Sequence, residues 1–189
     1  AVGADGTIYV ADQDNGNIRI ITQNESGGYT VSSMFNTNQN DGNIIEGPIS
    51  EARIGRPEAI EYVEATNKLY VLANGYALNV IDLNNSTVDS YILTEGGNQW
   101  GQIQDISVDD RGDVYFAYTG RSTIKKLSFI GLPEGLGAKS TWTFITDNNG
   151  RNYDFYQKVG EPSKIVAIVE LIDPSGTQIW DGAQNTGTM

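Results

Sequence analysis

The side chains most often used for chemistry are missing from this sequence: its 189 residues include no histidine and no cysteine. That removes the commonest general base near neutral pH, the commonest transition-metal ligand, thiolate nucleophiles and disulfides. Any catalysis would have to run on carboxylates, lysine, tyrosine or serine. No cluster of carboxylates has the spacing of a tight zinc or copper site, and no cofactor is expected. A few local patterns remain. Asp12-Gln13-Asp14-Asn15-Gly16-Asn17 has the composition of a calcium loop. An EF-hand loop requires glycine at its sixth position and glutamate at its twelfth, whereas counting from Asp12 puts Asn17 and Gln23 there. A solvated turn is the favoured reading, with a weak cation site as the alternative. Arg111-Gly112-Asp113 spells an integrin-type tripeptide, but it falls between two predicted strands and reads as a plain turn. Asn24-Glu25-Ser26 and Asn85-Ser86-Thr87 fit the N-glycosylation acceptor pattern and lie in predicted loops. Of three tryptophans, Trp142 and Trp180 read as packing residues, and Trp100 is the candidate surface platform for a sugar ring.

Charge narrows the partners. Twelve Lys and Arg against twenty-four Asp and Glu give a net charge of -12. A field of that sign repels phosphate backbones and anionic lipid headgroups, so nucleic acid and membrane surfaces are poor partners. No apolar run approaches the roughly 20 residues of a spanning helix. Ala1 to Asp5 carry neither a basic nor an apolar signal-peptide region. If a leader existed, it has been removed, and an extracellular or cell-surface location is the expectation.

The elements that must position these residues read as strands. Clusters of Gly, Asn, Asp, Ser and Thr separate short runs rich in Ile, Val, Tyr and Phe, the punctuation of strands and tight turns. Residues 47–56 and 164–171 could be argued as helical turns, but neither sustains apolar spacing of 3.6, and the second reads as a buried strand.

Self-similarity organises the whole chain. Ala1-Val2-Gly3-Ala4-Asp5-Gly6-Thr7-Ile8-Tyr9-Val10-Ala11 aligns with residues 107–117, Gly6 on Gly112 and Tyr9 on Tyr115. A middle copy runs from Ile60 to Ala73, with Leu69-Tyr70-Val71 in the same role. A following strand comes soon after each tyrosine: residues 17–21, 77–81 and 123–127. A further strand closes each unit, at residues 29–35, 88–93 and 141–146. Four short antiparallel strands repeated at a period of about 45 residues predict the blades of a β-propeller. Ile8, Val10, Leu69, Val71, Val114 and Phe116 are the expected residues between blades. A β-sandwich with coincidental self-similarity is the alternative.

The stretch Gly47-Pro48-Ile49-Ser50-Glu51-Ala52-Arg53-Ile54-Gly55-Arg56-Pro57 resembles the linker between blades of NHL-repeat proteins. Residues 5–12 resemble the second strand of that family and residues 17–21 its third. Leu78-Asn79-Val80-Ile81-Asp82 is also similar to the related surface-layer and YncE-like propellers. The resemblance covers residues 1 to about 146. It implies an all-β propeller of four-stranded blades, at about 1–46, 47–98, 99–160 and an incomplete 161–189, in which Pro162 to Trp180 is a partial fourth copy. About three and a half blades do not close a ring, so the remainder of a longer polypeptide, or another chain, is expected to complete it.

In such propellers the ligand face is built from the loops between blades and those between second and third strands. Here these loops carry Asp14, Asn15, Arg56, Glu58, Asn74, Tyr76, Trp100, Tyr118 and Arg121. Their mixture of aromatic, amide and charged groups suits a glycan or a protein segment. Lyases and lactonases on related six-bladed scaffolds use metal ligands that include histidine or a defined set of carboxylates and asparagine, and the histidine is absent from this chain. The expected function is a non-catalytic extracellular binding module. A structural subunit of a surface assembly is the first alternative, and a metal- or carboxylate-dependent lyase or hydrolase the second.

Overall fold

The computed structural model describes residues 1–36, 42–95, 98–99, 103–110, 112–119, 123–131, 143–147, 153–157 and 164–172. Among these the chain is all-β: every paired strand is antiparallel, and two three-residue 3-10 turns, Gln13–Asn15 and Glu64–Thr66, are the described helical elements. No described helix is long and apolar enough to cross a membrane. Two compact units divide the chain, Ala1–Asp110 and Arg111–Met189.

The first unit opens with β1 (Ile8–Asp12), β2 (Asn17–Gln23) and β3 (Tyr29–Ser33), a three-stranded meander. Short pieces follow, β4 (Ile44–Ile45), β5 (Gly47–Pro48) and β6 (Arg53–Ile54), with β4 paired to β6. A second meander is formed by β7 (Pro57–Val63), β8 (Lys68–Ala73), β9 (Ala77–Asp82) and β10 (Thr87–Ile92), and β5 adds to its outer edge at β10. The pair β11 (Thr94–Glu95) and β12 (Asn98–Gln99) precedes β13 (Ile103–Val108). The strand β7 lies against both β1 and β13. Residues 47–56, arguable as a helical turn in the sequence, are strand, turn and strand.

Register shows how the repeats correspond. Tyr9 lies opposite Ile20, and Tyr70 opposite Val80. One position earlier, Ile8, Ile21 and Val31 form a cross-strand row, and Leu69, Ile81 and Val88 form the matching row of the second sheet. Alternation sends the two rows of each sheet to opposite faces. The core of the first unit joins unlike faces: Leu69, Val71, Ile81 and Val88 of the second sheet pack with Ile18, Tyr9, Ala11 and Met34 from the tyrosine side of the first. Each fully enclosed Leu, Ile or Val contributes about 1.5–3 kcal/mol over an exposed one. The second sheet is buried on both faces, since Leu69 to Ala73 and Ala77 to Ile81 are all buried. The first sheet is covered on one. Its other face leaves Val10 40%, Val31 62% and Tyr29 66% exposed.

The second unit contains β14 (Val114–Tyr118), β15 (Thr123–Gly131), β16 (Thr143–Asp147), β17 (Tyr153–Gln157) and β18 (Lys164–Ile172), in the order β14-β15-β18-β17-β16. Its first hairpin repeats the register, with Tyr115 opposite Lys126 and Val114 opposite Leu127. The order then departs from a meander. A strand is present near the expected 141–146, but β18 rather than β16 lies beside β15, and β17 was not foreseen. Length accounts for the choice: β15 and β18 have nine residues each and pair from Ile124 with Ile172 to Gly131 with Lys164, whereas β16 has five. Lys164 to Leu171 is a strand, as its β-branched composition predicts. The proposed fourth-copy residues beyond Ile172 lie outside the described residues.

Candidate functional site

Three of the predicted ligand-face residues come together at one end of the first unit. The loop between β8 and β9 turns through Asn74 and Gly75, with φ of 55° and 69°, closed by the Tyr76 N–H to the Ala73 carbonyl at 3.2 Å. Asparagine followed by glycine tolerates two consecutive left-handed residues, which makes the turn tight. Asn74 then reaches across to the linker before β7. Its Oδ1 accepts the Arg56 N–H at 3.0 Å, its own N–H donates to the Arg56 carbonyl at 3.0 Å, and its Nδ2 donates to the Gly42 carbonyl at 3.0 Å. Gly55 makes this approach possible, because a Cβ there would lie 2.6 Å from the Asn74 Nδ2.

The latch fixes Arg56, whose guanidinium Nη2 lies 3.5 Å from Asp14 Oδ1 in the loop between β1 and β2. Both side chains remain open to solvent, 48% for Arg56 and 91% for Asp14. Such a pair contributes little to stability and stays available to a ligand. Glu58 is exposed on β7 at a register irregularity between Pro57 and Ala59. Tyr76 is half-buried, and its carbonyl accepts the Leu93 N–H at 2.8 Å.

Asn15 does different work. Its Nδ2 donates to both carboxylate oxygens of Asp12, at 2.8 and 2.9 Å, and Arg19 Nε donates to Asp12 Oδ2 at 2.7 Å. The Arg19 hydrogen bond, followed by that of Asn15, holds the Asp12 carboxyl below its ordinary pKa. With Asp12 engaged by amide and guanidinium donors, the Asp12–Asn17 segment is a turn closed by its own side chains. Among the described residues no group of three acidic side chains could hold a metal ion.

Tyr118, in the second unit, is buried with Lys125 Nζ 5.3 Å from its ring centroid. Trp100 and Arg121 lie outside the described residues. Of the Arg-Gly-Asp tripeptide, Arg111 is likewise outside, and Gly112 and Asp113 are buried. Asp113 Oδ2 sits 2.7 Å from Lys126 Nζ, which itself lies 5.5 Å from the Tyr115 ring centroid. A carboxylate held in that way is not presented to a receptor.

The glycosylation acceptors occupy the opposite end of the first-unit sheets, at the β2–β3 and β9–β10 turns. Asn24 Oδ1 gathers the Ser26 N–H, the Ser26 hydroxyl and the Gly28 N–H. Asn85 Nδ2 donates to Asp82 Oδ2 at 3.1 Å. Burial raises the Asp82 pKa, but the Asn85 N–H and carboxamide, Lys68 and the Asn84 N–H outweigh it and leave it lowered. Asn67 Nδ2 donates to Asn84 Oδ1 at 2.8 Å, and Asn67 Oδ1 accepts the Tyr62 hydroxyl at 3.0 Å, tying this end together. A glycan here would stand away from the Asp14 and Arg56 end.

Polar groups inside the sheets were missed in the sequence. Asn17 Nδ2 donates to the Phe35 carbonyl at 3.0 Å, and its Oδ1 accepts the Phe35 N–H at 3.2 Å. Asn79 donates to the Ile54 carbonyl at 3.0 Å and accepts the Ser90 hydroxyl at 2.7 Å, while the Ser90 N–H donates to Glu46 Oε1 at 2.7 Å. These buried amides fasten strands to the irregular segments that connect them. The only signal available was a polar residue inside an apolar strand pattern.

No protein-family model and no curated protein matches the chain.

Proposed function

We propose that the chain is a non-catalytic binding module built from NHL-type propeller blades, and that the end carrying Asp14, Arg56, Glu58 and Tyr76 receives a polar ligand, a glycan or a protein segment. The observation that carries the reading is the Asn74 latch. It places a loop between second and third strands against the linker between repeats, and beside them an exposed cation and anion from two different loops. Register adds support: three hairpins share one tyrosine position, and the first two stack through unlike faces, as blades do. The packing of β7 against β13 fits the adjacency of innermost strands. On this reading the module works outside the cell or at its surface.

Binding of the labelled chain to a glycan and peptide array tests the proposal, with Asp14→Ala/Arg56→Ala and Asn24→Gln/Asn85→Gln as paired variants. Loss of binding in the first variant and retention in the second supports it. Binding that survives Asp14→Ala/Arg56→Ala moves the ligand elsewhere and overturns the assignment. A structural role in an assembly is the second reading, favoured by the uncovered face of the first sheet.

A further inference from the structure

Three segments of the first unit meet around a cleft of about 430 Å3, within the roughly 300–1,000 Å3 of small-ligand pockets. They are the chain leaving β3, the linker between the first two sheets, and the turn from β9 into β10. Met34, Pro48 and Ile49 supply apolar surface, and Ser50, Ser86 and Thr87 supply hydroxyls. The segments are tied to one another by the protein itself. Asn36 Nδ2 donates to the Ser50 carbonyl at 3.5 Å, and the Ile49 N–H donates to the Ser86 carbonyl at 2.9 Å. Walls already in place spare a ligand the cost of ordering them. Ser86 holds a left-handed backbone, φ 55°, without being glycine or asparagine, and strain of this kind gathers at binding sites.

The lining decides what fits. None of the residues around the cleft is ionisable, so an ionic ligand would lose hydration there without gaining a counter-charge. The hydroxyls of Ser50, Ser86 and Thr87 have no hydrogen-bond partner among the described residues, and each can both donate and accept. Apolar surface beside free hydroxyls matches the C–H face and the hydroxyl edge of a sugar. We infer that this cleft binds a single neutral sugar ring. It shares no residue with the Asp14 and Arg56 group, so the two assignments stand or fall separately. The ring has two possible sources: a free glycan, or the first sugar carried by Asn85, since the acceptor triplet Asn85-Ser86-Thr87 itself lines the cleft. Asn85 Nδ2 gives one hydrogen to Asp82 Oδ2 and has a second to lose. In that case the bond from Nδ2 to the sugar C1 forms, the C1–O bond to a diphosphate carrier breaks, the carrier leaves as the free diphosphate, and the second Nδ2 proton goes to solvent.

Met34 is one of only two methionines in the chain, so methyl-labelled methionine places one of two NMR signals in the cleft, assigned by Met34→Leu. In one arm the unmodified chain is titrated with glucose, galactose, mannose and N-acetylglucosamine. In the other, an Asn24→Gln chain secreted from N-glycosylating cells is trimmed by endoglycosidase to one N-acetylglucosamine on Asn85 and compared with Asn24→Gln/Asn85→Gln. A Met34 signal that moves saturably in either arm is expected. Thr87→Val and Ser50→Ala, which each remove one hydroxyl with little change of shape, should each weaken free-sugar binding about two- to tenfold, or return the Met34 signal of the trimmed chain toward its unmodified position. A shift in the trimmed chain that also blocks the free sugar assigns the ring to Asn85, and a shift with free sugar alone assigns a separate glycan. A Met34 signal unmoved in both arms, or a shift indifferent to Thr87→Val and Ser50→Ala, overturns the inference.

Discussion

Gly55 and Asn74 depend on each other in a way that neither shows alone. Gly55 has φ +72°, and a side chain there would strike the Asn74 carboxamide, which bonds the Arg56 N–H and the Gly42 carbonyl. Gly55→Ala is expected to cost about 1–3 kcal/mol through a left-handed backbone and a displaced latch. Asn74→Gly keeps the turn and removes the obstruction, so the double variant should be less destabilised than the sum of the singles; urea unfolding in a double-mutant cycle measures the coupling. The buried Lys126 and Asp113 pair makes a second case. Lys126→Met takes a buried counter-charge from Asp113 and should lower stability by about 3–5 kcal/mol, whereas Asp113→Leu/Lys126→Met should recover most of it. Thermal unfolding of the singles and the double decides; equal losses in all three would assign Lys126 a packing role. The sequence placed both lysines on a strand but did not show them buried, because lysine is rarely enclosed and its counter-charge comes from a preceding turn.

Hairpins were the elements most visible beforehand, since alternation, turn residues and the recurring tyrosine are local signals. The position of β18 beside β15 was invisible for the opposite reason: it is a long-range pairing decided by the match of two nine-residue strands. Likewise, the loops between second and third strands could be located by counting, yet which loop side chains meet was decided by Asn74 reaching the linker. Turn carboxylates close several of these hairpins, and this gives the elements a pH response. Asp12 is held low by Arg19 and Asn15, and Asp82 is left low by Asn85, Lys68 and Asn84 despite its burial. A folded pKa below the unfolded value of about 3.9 means stability that is present above that pH and lost as pH falls through the folded pKa. Asp12→Asn and Asp82→Asn should therefore flatten the acid limb of stability below about pH 4 while each lowers stability modestly at neutral pH. Urea midpoints measured from pH 2 to 7 provide the check, and an unchanged acid slope in both variants would assign it to other carboxylates.

Unequal covering of the sheets governs how the molecule opens. In the first unit the second sheet is buried on both faces, with Leu69 to Ala73 of β8 and Ala77 to Ile81 of β9 all buried. The first sheet has one covered face, and all five residues of β3 are exposed. Local opening free energies follow buried apolar contact, so native-state hydrogen exchange should find the slowest amides in β8 and β9 and much faster ones in β3. The same strand reports on association. Val31 lies on the uncovered face that favours a structural role in an assembly, and an occupied face would remove the exchange-competent opening of β3 by mass action. Protection of β3 should therefore increase with protein concentration and with salt, while that of β8 and β9 stays constant. Exchange followed by mass spectrometry at two concentrations separates the cases. Concentration-independent fast exchange in β3 means that the open face stays open in solution, whereas slow exchange in β3 at the lowest concentration means that the chain covers this face itself.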